Sequence, residues 1–298
     1  MRRICGFIVL LFVFISVPAR AFQLFADALY WKAAESVDWV VDNNLSSTQQ
    51  MLHYKIIDFP PKFGFRVGAS SQGIWSNTFD YTQYKTYEKA RTSGNLTSAF
   101  AASRIQTLPK GFFYSSGDVN FKIRYDMFDE VVSRAFPVTD RLTLSPVLGL
   151  KGGRINQHVQ DSFEGAVSSV ERVNNDFSGI GPQLGINGQW IFYQSPSVQW
   201  SLYGNFATSA LWGYWRMKDV LHDSFFETTE IAVGSREFAA VMFQALVGLE
   251  AQRGKCSMRL GYEINDWLNQ GQFFDNATGS HSNNLIFKGA NLRFTYTV

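Results

Sequence analysis

The chain has 298 residues, 46% of them hydrophobic and 16% aromatic, and its 27 lysines and arginines nearly balance 25 aspartates and glutamates. That balance leaves no basic stripe for a nucleic acid, and no nucleic-acid partner is expected. Beyond Val17 no apolar run is long enough for a spanning helix, so the aromatic residues must be carried by strands.

The first residues point to a compartment. Arg2 and Arg3 precede the apolar run Ile4–Val17, and Pro18-Ala-Arg-Ala21 supplies an Ala-x-Ala end. This is the pattern of a secretory signal peptide, residues 1–21, cleaved after Ala21. Cleavage would remove Arg2, Arg3 and Arg20, leaving 27 less three, or 24, basic residues against 25 acidic ones. It also leaves Cys256 as the lone cysteine, so no intrachain disulfide is expected and a quiet thiol is. Residues 22–298 read as a single domain.

Gln23–Lys32 reads as a first strand whose inner face is ambiguous, because Asp27 shares parity with Phe25 and Leu29. Lys62–Ser70 alternates Phe63, Phe65 and Val67 with Gly64, Arg66 and Gly68, and Ile74–Lys85 returns with Phe79 and Tyr81 opposite Asp80. Gly117–Phe136 sets Phe121, Ile123, Tyr125 and Met127 against Lys122, Arg124 and Asp126. A helix would scatter those charges around its circumference, whereas a strand collects them on one face. Arg141–Ile155 follows, with Lys151 on its polar side, and then the clearest hairpin of the chain, Asn175–Gly213. In it Ile180, Leu184, Ile186 and Trp190, then Trp200, Leu202 and Phe206, oppose Gln183, Asn187, Gln189, Ser201 and Asn205. Arg236–Ala251, Cys256–Leu268 and Leu285–Val298 complete the set and carry Glu250, Arg259, Glu263 and Arg293 on their polar sides.

The connections alternate. Short turns at 71–73, 137–140, 194–197 and 252–255 separate long polar stretches at 33–61, 86–116, 156–174, 214–235 and 269–284, with a short helix expected at Leu96–Ile105. Short turns on one side, long loops on the other and an even strand number predict an all-β, transmembrane, antiparallel up-and-down barrel. Its strand count is ten, or twelve if 33–61 hides a hairpin of Val37–Val41 with Lys55–Phe59. The short turns would be periplasmic and the long loops extracellular. Aromatic girdles are expected at Trp75, Trp190, Phe192, Trp200 and Tyr296 on the turn side, and at Trp31, Trp212, Tyr214, Trp215 and Trp267 on the loop side.

Parity then assigns function. The apolar face, including Phe121, Ile123 and Tyr125, would meet lipid. The lumen would be lined by Arg66, Lys122, Arg124, Lys151, Arg259 and Arg293 with Asp80, Asp126, Glu250 and Glu263. Six basic against four acidic groups predict weak passage of small ions with an anion preference. The opposing reading is that these charges pair and plug a narrow barrel, since interiors near eight strands are filled by side chains. An adhesin working through its loops is a third class. His53, His158, His222 and His281 all fall in long loops, as they would in an outer-membrane protease, but no pair has metal-ligand spacing. No catalytic group, metal or other cofactor is expected. The glycines of GIGPQLG at 179–185 lie within a strand with no helix after them, so they are not a phosphate cradle.

Behind the leader, ALYW (Ala28–Trp31), FGFRVG (Phe63–Gly68), LTLSPVLGLKGGRINQ (Leu142–Gln157), NDFSGIGPQLGINGQW (Asn175–Trp190) and LYGNFATSALWG (Leu202–Gly213) resemble the Legionella-type major outer membrane protein-like family, abundant in chlamydia-like bacteria. The resemblance implies an integral barrel of a Gram-negative outer membrane, porin-like or surface-exposed, with no catalytic residues to carry over. It implies outer-membrane lipid and the barrel-assembly machinery as partners, and leaves a homo-oligomer and a host-surface ligand open. The chain ends on Val298, not on an aromatic residue, and lacks the cysteines of cross-linked chlamydial envelope proteins.

Overall fold

The structure, a computed structural model, describes residues 21–35, 38–45, 50–100, 113–224, 228–270 and 284–298. In chain order its strands are β1 (Ala21–Ala34), β2 (Asp38–Leu45), β3 (Gln50–Ile56), β4 (Lys62–Gln72), β5 (Ser76–Ser98), β6 (Tyr114–Ser133), β7 (Phe136–Pro137), β8 (Leu142–Gly165), β9 (Ser169–Gln194), β10 (Gln199–Asp223), β11 (Thr229–Arg253), β12 (Cys256–Trp267) and β13 (Leu285–Thr297). Ten of them form a closed antiparallel ring, β1-β4-β5-β6-β8-β9-β10-β11-β12-β13, sealed where β1 meets β13 from Gln23↔Thr297 to Ala34↔Ile286. Closure leaves the ring no free edge, and antiparallel neighbours satisfy every spanning backbone group. This is an outer-membrane β-barrel.

The wall is uneven in height. β12, β13, β1 and β4 have 12, 13, 14 and 11 residues, whereas β8 to β11 have 24 to 26. A tilted strand needs roughly 9–11 residues to cross a bilayer, so the tall side stands well clear of the membrane. Exposed aromatic residues mark the two interfaces. Trp75, Phe136, Trp190, Phe192, Trp200 and Tyr296 ring the turn side, and Tyr30, Phe63, Trp212 and Tyr214 ring the other.

The hydrophobic face changes sides at the outer belt. Below it Leu148, Leu184, Leu202, Phe206, Leu260 and Leu292 point outward and are exposed, as a lipid-facing wall requires. Above it the outward residues are polar, and Val119, Phe121, Ile123, Phe163, Phe177, Leu211 and Trp215 are buried inside. The extension therefore packs like a soluble protein, each large side chain contributing about 2–3 kcal/mol by burial.

Several expectations are corrected. Phe121, Ile123 and Tyr125 face inward, not lipid, because β6 crosses the outer belt near Asp126 and its apolar stretch lies above it. Trp31, Trp215 and Trp267 belong to the interior and not to a girdle. The stretch 156–174 is not a loop but the paired ends of β8 and β9, and 33–61 does hide a hairpin, β2–β3. That hairpin leaves the wall at ten strands: it hydrogen-bonds to the top of β5 through Val40↔Ser98 and Asp42↔Leu96. Trp39 stacks on Phe163, and Phe59, following β3, meets Phe121 inside the mouth. In place of a helix, residues 96–98 end β5, while 101–105 lie outside the described residues, as do residues 1–20.

Candidate functional site

The lumen has three levels. On the short-turn side a cavity of about 430 Å³ opens. Its walls carry Gln183, Asn187 and Gln189 from β9, Tyr203 and Asn205 from β10, and Glu250 and Arg259 from β11 and β12. Period-two alternation places these polar side chains inside because their sequence neighbours Leu184, Leu202 and Leu260 are committed to lipid. Arg259 lies 3.6 Å from the centroid of the Tyr203 ring and 3.1 Å from Glu250.

Above the cavity sits an ion network made by six adjacent strands, β5, β4, β1, β13, β12 and β11. Arg66 on β4 donates to Glu263 at 2.8 Å, Asp27 at 3.2 Å and Thr82 at 2.8 Å, and Asp80 lies 3.7 Å away. Arg293 on β13 clasps Asp27 at 2.7 and 2.9 Å and lies over the Phe25 ring. Asn291 bridges Asp27 and Glu263, and Gln244 and Asn265 also donate to Glu263. Nearby, Lys151 holds Asp129 at 2.6 Å. Charges this far from water persist only when paired and hydrogen-bonded; here every carboxylate named has a cation beside it.

The third level is an aromatic plug. Trp31, Tyr84, Tyr125, Trp267 and Phe287 fill the cross-section directly over the network. Centroids of Tyr125 and Phe287 are 4.8 Å apart, those of Tyr84 and Phe287 5.4 Å, and Trp31 and Trp267 have no exposed surface. The Tyr84 hydroxyl donates to the Trp31 carbonyl at 2.7 Å. Higher still, outside the membrane, the carboxyls of Glu35, Asp161, Glu171 and Asp219 are buried. Glu35 accepts from Gln157 at 2.7 Å, and burial pushes its pKa up to about 8. Asp161 stands opposite Glu171, and the Ser98 hydroxyl donates to Glu171 at 2.9 Å. Burial first, then Glu171 and Asp219, holds the Asp161 carboxyl well above the ordinary range.

Of the residues assigned to the lumen by parity, Arg66, Asp80, Lys151, Glu250, Arg259, Glu263 and Arg293 project inward. Lys122, Arg124 and Asp126 do not. They stand on the outer wall, where Asp126 accepts from Arg124 at 2.5 Å and from the Tyr81 hydroxyl at 2.8 Å. Asp27 and Asp129 were missed. Asp129 shares parity with Tyr125 and Met127, and Asp27 with Phe25 and Leu29, so an acid in an apolar row was the available signal. The described histidines are dispersed: His158 bonds Asn174 on the outer wall, His222 bonds Thr228 at the rim and His53 is exposed on β3, while His281 lies outside the described residues. Cys256 is exposed at the cavity mouth.

Solved outer-membrane proteins align with most of the chain at low identity. The outer membrane protease OmpT of Escherichia coli is 10% identical with a TM-score of 0.40, over 95% of this chain and 99% of its own. A Pseudomonas aeruginosa FadL homologue is 10% identical at 0.31, over 94% and 90%. The Pseudomonas putida toluene transporter TodX is 9% identical at 0.28, over 95% and 90%. At that distance none of them lends an activity to this chain. No curated protein matches the sequence. A family model does, over residues 15–298 and so over nearly the whole chain, and the chain belongs to the family it describes, that of the Legionella pneumophila major outer membrane protein precursor.

Proposed function

We propose that the protein is a surface barrel of the outer membrane whose lumen is shut at rest, and whose working part is the strand-built extracellular half. The observation that carries this reading is the aromatic plug, in which Trp31 and Trp267 have no exposed surface. Opening a path would strip several large side chains of their contacts, each at a cost of about 3–5 kcal/mol, the scale of truncating a buried Phe or Trp.

A second reading, weak passive passage of small ions or solutes, is favoured by the polar cavity of about 430 Å³ below the plug. Anion preference loses its motive, because below the plug the inward charges are Arg66, Lys151, Lys255, Arg259 and Arg293 against Asp27, Asp80, Asp129, Glu250 and Glu263. Planar-bilayer recording separates the two readings. The unaltered protein should give no discrete openings at high protein load, whereas Trp31→Ala combined with Phe287→Ala should give them. Openings in the unaltered protein would establish the porin reading instead.

A further inference from the structure

The outer wall carries a charge cluster and a furrow that the lumen does not explain. On β5, β6 and β8, just above the outer aromatic belt, Lys85, Lys122, Arg124 and Arg154 all project outward and are exposed. Lys85 stands directly opposite Arg124, and Lys122 directly opposite His158. Like charges directly opposite across a strand pair are destabilising. Asp126 is the carboxylate among them, 2.5 Å from Arg124 and 3.9 Å from Arg154. Lys85 and Lys122 have no acidic partner among the described residues.

Directly below, toward the membrane centre, a furrow of about 860 Å³ runs along the wall. Phe128 borders it on one side, and Ile180, Trp212 and Tyr214 border it on the other; Arg154 and Asp126 stand at its upper end. Its floor is low because the outward position between Arg154 and Tyr214 is the small Ser178, beside the bare backbone of Gly153, Gly179 and Gly213, successive partners across β8, β9 and β10 whose missing side chains would point inward. The wall cannot thicken inward there, since a Cβ at Gly213 would come within 2.1 Å of the Phe177 ring.

We propose that this surface binds an anionic, phosphate-bearing lipid of the outer leaflet, with an acyl chain in the furrow and the phosphate on Arg154, Lys85 and Lys122. Guanidinium and ammonium groups at headgroup height match phosphate in charge and hydrogen bonding, and an anion between Lys85 and Arg124 removes their repulsion. The apolar furrow selects a lipid over free phosphate. The proposal does not depend on whether the lumen conducts.

Native mass spectrometry of the detergent-folded full chain tests it, with bis-phosphorylated lipid A, phosphatidylcholine and inorganic phosphate as probes. Lipid A should be retained at about one per chain and phosphatidylcholine should not. The triple change Lys85→Gln, Lys122→Gln and Arg154→Gln should weaken retention at least tenfold, and Ser178→Trp, which fills the furrow without touching charge, should weaken it as well. All four side chains are exposed, and heat-modifiable gel migration checks that the variants fold. Equal retention of lipid A by the unaltered and triple-changed proteins overturns the site. Displacement of lipid A by millimolar inorganic phosphate, or indifference to Ser178→Trp, overturns the lipid and leaves an anion site.

Discussion

Arg66 is the side chain on which the inner charges converge. It reaches Asp27, Glu263, Asp80 and Thr82 from a position that is 7% exposed. Arg66→Met leaves those carboxylates short of a cation and should destabilise the barrel by about 3–5 kcal/mol, the usual result of breaking one side of a buried pair. Adding Glu263→Met should recover a large part of the loss, because Asp27 keeps Arg293. Urea titration of the folded barrel in lipid vesicles reads both. Glu35 makes a different prediction. Its carboxyl, buried outside the membrane, titrates at about 8 against an ordinary 4.5. The native state therefore holds a proton that the unfolded chain has lost between those values, and stability should fall as pH rises from about 4.5 to about 8. Asp161 works in the same direction. Glu35→Gln should flatten the slope of melting temperature with pH; a slope unchanged by that substitution would assign it elsewhere. The inward position of Arg66 was legible because Gly64, Gly68 and three outward apolar residues flank it. Asp27 was not, since its own row reads Phe25, Asp27, Leu29, Trp31 and gives no polar face to join.

At the scale of a strand, parity tells which residues share a face but not which face is inside. β6 shows why. A strand confined to the membrane has apolar side chains outside; one that rises above it has them inside, and the chain carries no mark of the crossing. Lys122 and Arg124 were misplaced for that reason, whereas Lys151, within the membrane part of β8, was not. The consequence is measurable. Phe121→Ala should cost about 3–5 kcal/mol through the cavity left beside Phe59, and Lys122→Gln should lie within about 0.5 kcal/mol of neutral. On β8, Leu148 is 60% exposed to the lipid side, so Leu148→Arg should cost about 2–4 kcal/mol near the midplane. Refolding titrations in vesicles give all three numbers, and a lipid-like penalty at Phe121→Arg that vanishes in detergent would restore the opposite register.

For the whole molecule, the even strand number and the alternation of turns and long connections were readable because turn chemistry is local. The uneven wall was not, because β8 to β11 continue through polar stretches that look like loops until paired. Their tops, and the turn at 166–168 between β8 and β9, should be reachable from outside the cell. An epitope inserted at 166–168 should stain on intact cells, and one in the turn at 195–198 only after permeabilisation. The reverse pattern would invert the barrel.

The ion network lies across the seam where the first strand meets the last. Asp27 and Arg293 are direct partners there, with Arg66 one strand to one side and Glu263 one strand to the other. Arg293 reaches Asp27, Arg66 reaches Glu263 and Asn291 reaches Asp27 only once the chain ends find each other. A slip of two residues along that seam would set Arg293 opposite Phe25 or Leu29 and take it away from Asp27. The last step of assembly thus carries its own check on alignment: a ring joined at the wrong step lacks the ion pair that fastens its seam.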